Sequence, residues 1–492
     1  MKRQATRMAS WAGGRVLVVG GGIGGLSTAL SLHAVGIPCA VFDASTASNT
    51  AHCCGTNLQP AAVAQLYILG LRDQLEGVGP RDAAAIAAES LSYYTAGGDL
   101  ALHEARGIAA GAPLPQLSIH RGRLQRALLD AAEARGIPVA HDRRMIATSE
   151  EGNEAVVSFV DVAGETHVER GAVVIGADGL ASTLRQQLHP DEGPPLQSGT
   201  VVWRGTSRLA PPDAGSGSAS WQSRSMSMSM TTSGGRAMTL SGGKGDASLA
   251  LFPICERERR RGGALVSWAA ELPAAPRDEW SWETRGAVDD FVHAFDQWHL
   301  PFVDGAETVE ALVRDACDGG AVWELPVFDR EPVEEWRLGS RRVLLGDAAH
   351  PMRANRSHGP TQAILDGRAL AEHLAAAFGN DGQQALRLAA AHSAEIAAAL
   401  DGYARERQPV TAAIVHANRT CGPERILEAV EQRGGNARAV ASFEDNELVE
   451  LAAAYADIAS LDASAVRAMA EPALWRRVSE RFCTSMSDPG PY

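Results

Sequence analysis

The feature that most constrains the fold is a strand, a glycine-rich turn and a helix within residues 15–36. Four apolar residues, Val16–Val19, predict a buried parallel strand. The turn Gly20–Gly25 follows with G-x-G-x-x-G spacing, and a helical pattern comes after it. A second strand, at residues 39–42, ends in Asp43. Together these elements predict the first βαβ unit of a dinucleotide-binding domain.

Each glycine of the turn has a physical role in that prediction. Gly20 permits the tight turn, and Gly22 lets backbone N–H groups approach a pyrophosphate at the positive end of the helix. Gly25 lets the helix lie close to the strand, and Asp43 is placed to accept a hydrogen bond from a ribose hydroxyl. The alternative is a glycine turn in an unrelated α/β protein, but the agreement of strand, helix and carboxylate favours the dinucleotide site.

Composition bounds the class of protein. The chain has 492 residues, of which 45% are hydrophobic and 21% charged, which fits two or three globular domains. A net charge of −14 disfavours nucleic acid as a partner. The seven cysteines contain no C-x-x-C pair, which disfavours a metal site and predicts a reducing cytoplasm. We expect no membrane span, because no uninterrupted apolar stretch is long enough.

Two further motifs place carboxylates at strand ends. The apolar run Val173–Ile175 leads to Asp178-Gly179, and Arg342–Leu345 leads to Gly346-Asp347. Asp178 is predicted to face the ligand crevice or to cap the helix that begins near Ser182, and both roles stay open. After the Asp347 motif a helix is predicted to begin at Gly359-Pro360, because proline suits the first helical position.

The middle of the chain predicts a different kind of sheet. Residues 201–205 form a strand pattern, and residues 225–232 alternate so that Met226, Met228 and Met230 share one face. That face is either core or pocket wall, and core is the more common case. Further strand patterns follow to residue 270, so a mostly antiparallel sheet is expected.

The three motifs, in this order around an inserted sheet, resemble the single-component FAD-dependent aromatic hydroxylases of the para-hydroxybenzoate hydroxylase type. The resemblance runs from about residue 14 to residue 440. Three shorter segments resemble the branch that contains salicylate hydroxylase and 5-methylphenazine-1-carboxylate monooxygenase: Trp203–Gly205, Glu324–Phe328 and Gly422–Arg425.

The resemblance implies an α/β fold with a Rossmann-like FAD domain of the glutathione-reductase type, an inserted mostly antiparallel β-sheet substrate domain and C-terminal helices. The expected boundaries are residues 14–190 and 335–380 for the FAD domain, 191–334 for the substrate domain and 381–492 for the helices. Residues 86–109 are expected to join the substrate sheet.

The resemblance also implies FAD as cofactor, NADPH or NADH as cosubstrate, and no metal. It places Asp43 on the adenosine ribose, Arg121 near the pyrophosphate and Asp347 on the ribitol or phosphate. A solvated Arg121 at a helix start is the alternative. The residues expected to bind the cofactor are Gly20, Gly22, Ile23, Gly24, Gly25, Asp43, Ala44, Arg121, Asp178, Asp347, Gly359 and Pro360.

The activity that the resemblance implies is hydroxylation of an aromatic or polycyclic secondary metabolite with O2 through a flavin hydroperoxide. Baeyer–Villiger insertion or epoxidation on the same fold, and a non-catalytic flavin-binding protein, are the alternatives. The protein is expected to be a monomer or a homodimer.

Substrate and catalytic candidates follow from the same comparison. Trp203 is expected to contact the substrate ring, with Met226 and Met228 as pocket candidates. Arg204 is expected to anchor a polar or anionic group, and a salt bridge between the two domains is equally open. Arg356 and His358 differ from the residues usual in the family, and both are catalytic candidates expected to border the flavin. Arg356 either stabilises the anionic reduced flavin, pairs with a substrate carboxylate or points to solvent, and these three alternatives stay open.

Overall fold

The computed structural model describes residues 14–46, 54–77, 84–209, 236–244, 247–261, 263–275, 286–300, 308–315, 322–353, 358–379, 387, 391–420, 422, 424–444, 446–458 and 473–483. The strands are β1 Val16–Val19, β2 Cys39–Phe42, β3 Gly55–Leu58, β4 Ala85–Ala88, β5 Ser90–Thr95, β6 Leu100–Ala105, β7 Gln116–His120, β8 Val139–Ala140, β9 Arg144–Glu151, β10 Glu154–Val160, β11 Thr166–Gly171, β12 Val173–Gly176, β13 Leu196–Leu209, β14 Ala237–Lys244, β15 Ala247–Pro253, β16 Ala264–Pro273, β17 Trp323–Asp329, β18 Arg337–Leu338 and β19 Arg342–Leu344.

The helices are α1 Ile23–Ala34, α2 Pro60–Ile68, α3 Arg72–Glu76, α4 Arg121–Ala134, α5 Thr183–Leu188, α6 Glu256–Arg260, α7 Val288–Ala294, α8 His358–Phe378, α9 Ser393–Thr420, α10 Glu424–Gln432, α11 Ala437–Val440, α12 Glu447–Ile458 and α13 Ala473–Cys483. Short 3₁₀ turns occupy Gly107–Ala110 and Gly346–Ala348, and Ala311–Asp315 is a π-helical turn. Within these ranges no helix combines the length and apolar character that a bilayer span requires.

A six-stranded sheet in the order β18-β19-β12-β1-β2-β8 forms the centre of the first domain. Strand β1 pairs in parallel with β2 on one side and β12 on the other, and only β18 is antiparallel to its neighbour. The four residues of β1 are all buried, as expected for a central parallel strand that is covered on both faces. Helices α1 and α8 pack together, and the three-stranded sheet β9–β11 covers another part of the core through stacked Phe42 and Phe159. The predicted α/β fold is therefore confirmed.

The second large sheet has seven strands in the order β17-β13-β16-β15-β14-β5-β6. Its pairs are antiparallel except that β14 runs parallel to β5. Strands β5 and β6 come from the segment between residues 86 and 109, so part of that segment belongs to the seven-stranded sheet. One face of this sheet carries the apolar cluster of Trp203, Trp268 and Phe291, whereas the other faces the cavity described below.

The C-terminal helices close the structure on two sides. Helix α9 packs along α8, and α10 packs on β5, β6 and β14 together with α12. Ile426 and Leu427 of α10 are buried against Tyr93 and Leu240 of the sheet. These helices therefore pack on both the first domain and the seven-stranded sheet.

Candidate active site

The glycine turn packs as its spacing predicts. Gly20 has φ +115°, and a Cβ there would overlap the carbonyl group of Ala177. A Cβ at Gly25 would overlap the carbonyl oxygen of Gly20, because α1 lies directly on the turn. Both positions therefore require glycine, the first for its backbone conformation and the second for close packing.

Gly22 has a different environment, which is open. A Cβ built there meets no atom within 4 Å, and Gly22, Ile23 and Gly24 line a cavity of about 300 Å³. The first turn of α1 has no acidic residue and no side chain caps its N-terminus. Its first N–H groups are thus left to a ligand, and an anion is favoured there. These residues fit the pyrophosphate of FAD.

Asp43 lies at the end of β2 and holds the glycine turn. Its Oδ2 accepts the N–H of Gly21, and its Oδ1 accepts the N–H of Ser45 at 2.7 Å and the Ser45 hydroxyl. The next residue, Ala44, is exposed. A carboxylate offers about four acceptor positions, so these bonds leave capacity for a ribose hydroxyl, and that role stays a prediction.

Arg121 and Asp178 lie on either side of the turn. Arg121 is the first residue of α4, and its exposed side chain lines the cavity. Asp178 accepts the N–H of Thr183 at 2.8 Å at the start of α5, where Ser182 rather than Asp178 is the N-cap residue. Burial raises the pKa of Asp178 despite this bond and one from Ser182. Its neighbours Ala177 and Gly179 line the cavity, and a role for the Asp178 side chain toward FAD stays a prediction.

Asp347 and the start of α8 meet at the cavity. Asp347 is exposed, and a Cβ built on Gly359 would lie 3.3 Å from its Oδ1. His358, Gly359 and Pro360 also line the cavity, and α8 begins at His358, one residue before the predicted start. The motif therefore brings a carboxylate and a helix N-terminus to one place. Arg356 lies outside the described residues.

Behind this loop is a buried ion network that the sequence motifs did not reveal. Asp366 is 0% exposed; its Oδ2 accepts from the Gly346 N–H at 3.1 Å and contacts His350 Nε2 at 2.6 Å. Its Oδ1 accepts from Arg407 Nε at 2.8 Å. Burial acts to raise the pKa of Asp366, but His350 and Arg407 outweigh it and hold that pKa below its usual range. The network fixes the Gly346 turn to α8 and α9.

Arg185 holds the same loop from the opposite side. Its side chain is 1% exposed and forms two bonds to Glu192, at 2.6 and 2.8 Å. It also donates to the carbonyl oxygens of Ala348, Ala349 and Glu331, at 3.2, 2.6 and 3.0 Å. The guanidinium of Arg185 donates five hydrogen bonds, so it is a rigid support for this loop. A charged residue is rarely buried, and this role was not predicted from the sequence.

The floor of the cavity is one transverse row of the seven-stranded sheet. In register across neighbouring strands lie Arg204, Ala269, Ala250, Leu240 and Tyr93. All five line the cavity. Arg204 Nη1 lies 3.7 Å from Cys54 Sγ, which also lines the cavity. The row gives a mostly apolar surface with polar side chains, Arg204 and Tyr93, at its two ends.

The prediction that Trp203 contacts the substrate ring is wrong. Trp203 is buried on the opposite face of β13, where its ring lies 5.3 Å from that of Phe291. Adjacent residues of a strand point to opposite faces, so Arg204 and Trp203 cannot both face the cavity. Met226 and Met228 lie outside the described residues.

Comparisons with known proteins agree with this arrangement. A family model for the FAD-binding domain matches residues 14–233. Phenazine 1,6-dicarboxylic acid hydroxylase PhzS of Lysobacter antibioticus is 32% identical over 420 residues, which are 82% of this chain and 89% of that protein. The 3-amino-4-hydroxybenzoate 2-monooxygenase PtnB3 of Streptomyces platensis is 32% identical over 366 residues, 74% of this chain and 80% of that protein.

Among solved structures, Klebsiella pneumoniae HpxO complexed with FAD and uric acid superposes with a TM-score of 0.63 at 20% identity, over 93% of this chain and 97% of that one. That likeness establishes the fold, and the sequence relatives establish the family. The chain therefore belongs to the FAD-dependent aromatic hydroxylases and is a flavin-dependent monooxygenase.

Proposed function

We propose that the protein hydroxylates a planar, fused-ring aromatic carboxylic acid, using FAD, NAD(P)H and O2. The observation that carries the proposal is the cavity floor, where Arg204 is paired with Ala269 and Ala269 is paired with Ala250. An apolar floor of small side chains accommodates a fused ring, and an arginine fork is suited to a carboxylate. The Lysobacter relative, named for a phenazine diacid, supports the same substrate class.

Different residues are proposed to bind the cofactor and to orient the substrate. The glycine turn, Asp43 and Asp347 would hold FAD, and the chemistry that bound FAD would supply is transfer of an electrophilic oxygen from O2. The N-terminus of α8, with His358, favours negative charge at the cofactor edge through its dipole. Pro360 removes one N–H donor there, so His358 is proposed to supply a replacement donor. Arg204 orients the ring so that one carbon is presented to the oxygen.

The test is reduction of the purified flavoprotein followed by product analysis. NADPH or NADH should reduce the flavin under anaerobic conditions. With O2, phenazine-1-carboxylate or a related fused-ring acid should accelerate NAD(P)H oxidation at least ~10-fold, equivalent to ~1.4 kcal/mol in the barrier, and yield a product one oxygen heavier. If no member of an aromatic acid panel binds or accelerates oxidation, the proposal is wrong.

Arg204→Lys should weaken the aromatic acid and uncouple the reaction. Lysine keeps the charge but loses the planar fork, and loss of a charge-assisted hydrogen bond costs about 1.5–3 kcal/mol. We therefore expect a substrate dissociation constant raised about 10-fold or more and a larger share of NAD(P)H oxidised to hydrogen peroxide. Arg208→Lys is the matched control, because Arg208 is on the same strand, pairs with Glu258 and is not among the cavity residues. Normal coupling in Arg204→Lys excludes Arg204 as the clamp.

We further propose a cytoplasmic monomer or homodimer. Cys39, Cys54 and Cys255 are free thiols in the described structure, which supports a reducing compartment. Burial raises the pKa of Cys39 to about 12, so this thiol is unreactive. Light scattering after gel filtration measures the oligomeric state, and a stable tetramer contradicts the proposal.

A further inference from the structure

A second polar group lies at the far end of the row that begins with Arg204. Tyr93 closes that row, four strand spacings away, which places the two Cα atoms roughly 19 Å apart at ~4.8 Å per spacing. Leu240, Ala250 and Ala269 form the apolar floor between them. The cavity therefore has two distinct polar ends, and only the Arg204 end was expected from the sequence.

The Tyr93 end is a hydrogen-bonded group of three side chains. Oε2 of Glu104 accepts from the Tyr93 hydroxyl at 2.8 Å and from Nη2 of Arg106 at 2.8 Å. The same Arg106 nitrogen lies 3.4 Å from the Tyr93 hydroxyl. Tyr93 and Arg106 line the cavity, whereas Glu104 is not among the lining residues. Among the described residues, only Nη2 of Arg106 forms a hydrogen bond, so Nε and Nη1 can donate to a ligand.

The charge at this end is balanced. Arg106 forms an ion pair with Glu104, whose side chain is 23% exposed. Burial raises the pKa of Tyr93, so its phenol is neutral and serves as a donor. Glu424 lines the cavity too, at the start of helix α10, which packs on β5 and β14. A ligand carboxylate placed here would meet a guanidinium whose charge Glu104 already compensates, which is an unfavourable environment for a second anion.

We infer that this end selects a neutral hydrogen-bond acceptor and discriminates against a second carboxylate. This inference rests on the proposed function, and under it the substrate is an aromatic monoacid with its carboxylate at Arg204. A carbonyl, hydroxyl or amide oxygen on the opposite ring accepts from Arg106. Tyr93, Glu104 and Arg106 are thus specificity-determining residues, and this chain differs in preference from a relative named for a diacid.

Two probes of one shape test the charge preference directly: phenazine-1,6-dicarboxylate and its monoamide. Dissociation constants are measured on the FAD-loaded protein by the change in flavin absorbance. We expect the native protein to bind the monoamide at least ~10-fold more tightly than the diacid. Glu104→Gln leaves the charge of Arg106 without its carboxylate partner, so it should reduce this ratio of dissociation constants at least ~10-fold, which is about 1.4 kcal/mol. Glu424→Gln should shift the preference in the same direction, which provides a second variant if Glu104→Gln folds poorly.

Glu151→Gln is the matched control, because Glu151 is an exposed partner of Arg170 on β9 and its loss removes the same charge far from the cavity. It should leave the preference unchanged. Equal binding of both probes to the native protein, or an unchanged preference in both glutamine variants, overturns this inference and leaves the proposed function standing. If neither probe binds, and no other aromatic acid does, the proposed function fails as well.

Discussion

Gly22→Ala is expected to abolish tight FAD binding while the protein still folds. The backbone at Gly22 has φ −74° and ψ −176°, which alanine adopts without strain, and its Cβ would point into open space. That is the space in which we expect the pyrophosphate to approach the N-terminus of α1. We expect the dissociation constant of FAD to rise at least ~100-fold, equivalent to about 2.7 kcal/mol, with the circular dichroism spectrum of the apoprotein unchanged.

Two other glycines make this prediction specific. Gly97→Ala adds the same methyl group at an exposed turn whose nearest neighbour would be 3.7 Å away, so FAD affinity should not change. Gly25→Ala places a Cβ on the Gly20 carbonyl oxygen, so that variant should fail to fold. FAD binding in Gly22→Ala that equals the native affinity contradicts the assignment of the turn to the cofactor.

Asp366→Asn should destabilise the protein strongly. The substitution keeps the shape of the side chain but leaves the Arg407 guanidinium buried without its carboxylate partner. Removing one member of a buried ion pair costs about 3–5 kcal/mol. Urea unfolding should show this loss, together with weaker FAD binding because the Gly346 turn loses its anchor. Asp401→Asn is the control, since its pair with Arg337 is partly exposed and is worth about 1 kcal/mol or less.

The same pair predicts a pH dependence with a definite sign. The pKa of Asp366 in the folded protein is below its ordinary value of 3.8, so the unfolded chain binds more protons at this site. The stabilisation of the folded protein by ionised Asp366 is therefore complete above the pKa that this residue has in the unfolded chain. It is lost as the pH falls through the pKa of Asp366 in the folded protein. The difference in unfolding free energy between native protein and Asp366→Asn should therefore shrink as the pH falls below about 4. A difference that grows on acidification contradicts this assignment.

Local sequence patterns were sufficient to predict the glycine turn and the elements that flank it. Gly20, Gly22 and Gly25 have roles set by neighbouring backbone, and the strand and helix that flank them follow from short apolar patterns. The predicted positions of Asp347 and Gly359 at one loop were likewise readable, since a strand end and a helix start lie close in the chain. The fold class and the family followed from the order of these motifs.

Which face of the seven-stranded sheet lines the cavity could not be predicted from local patterns. Trp203 and Arg204 are adjacent, and the alternation of a strand allows either of them to face the cavity; the burial of Trp203 against Phe291 settles which one does. Tyr93 and Arg204 are joined only through the pairing of β5, β14, β15, β16 and β13, a register that no local pattern specifies. The contact of Asp366 with Arg407 spans 41 positions for the same reason. Long-range pairing depends on the summed packing of whole sheets and helices, so the ends of the cavity became visible only once the chain was folded.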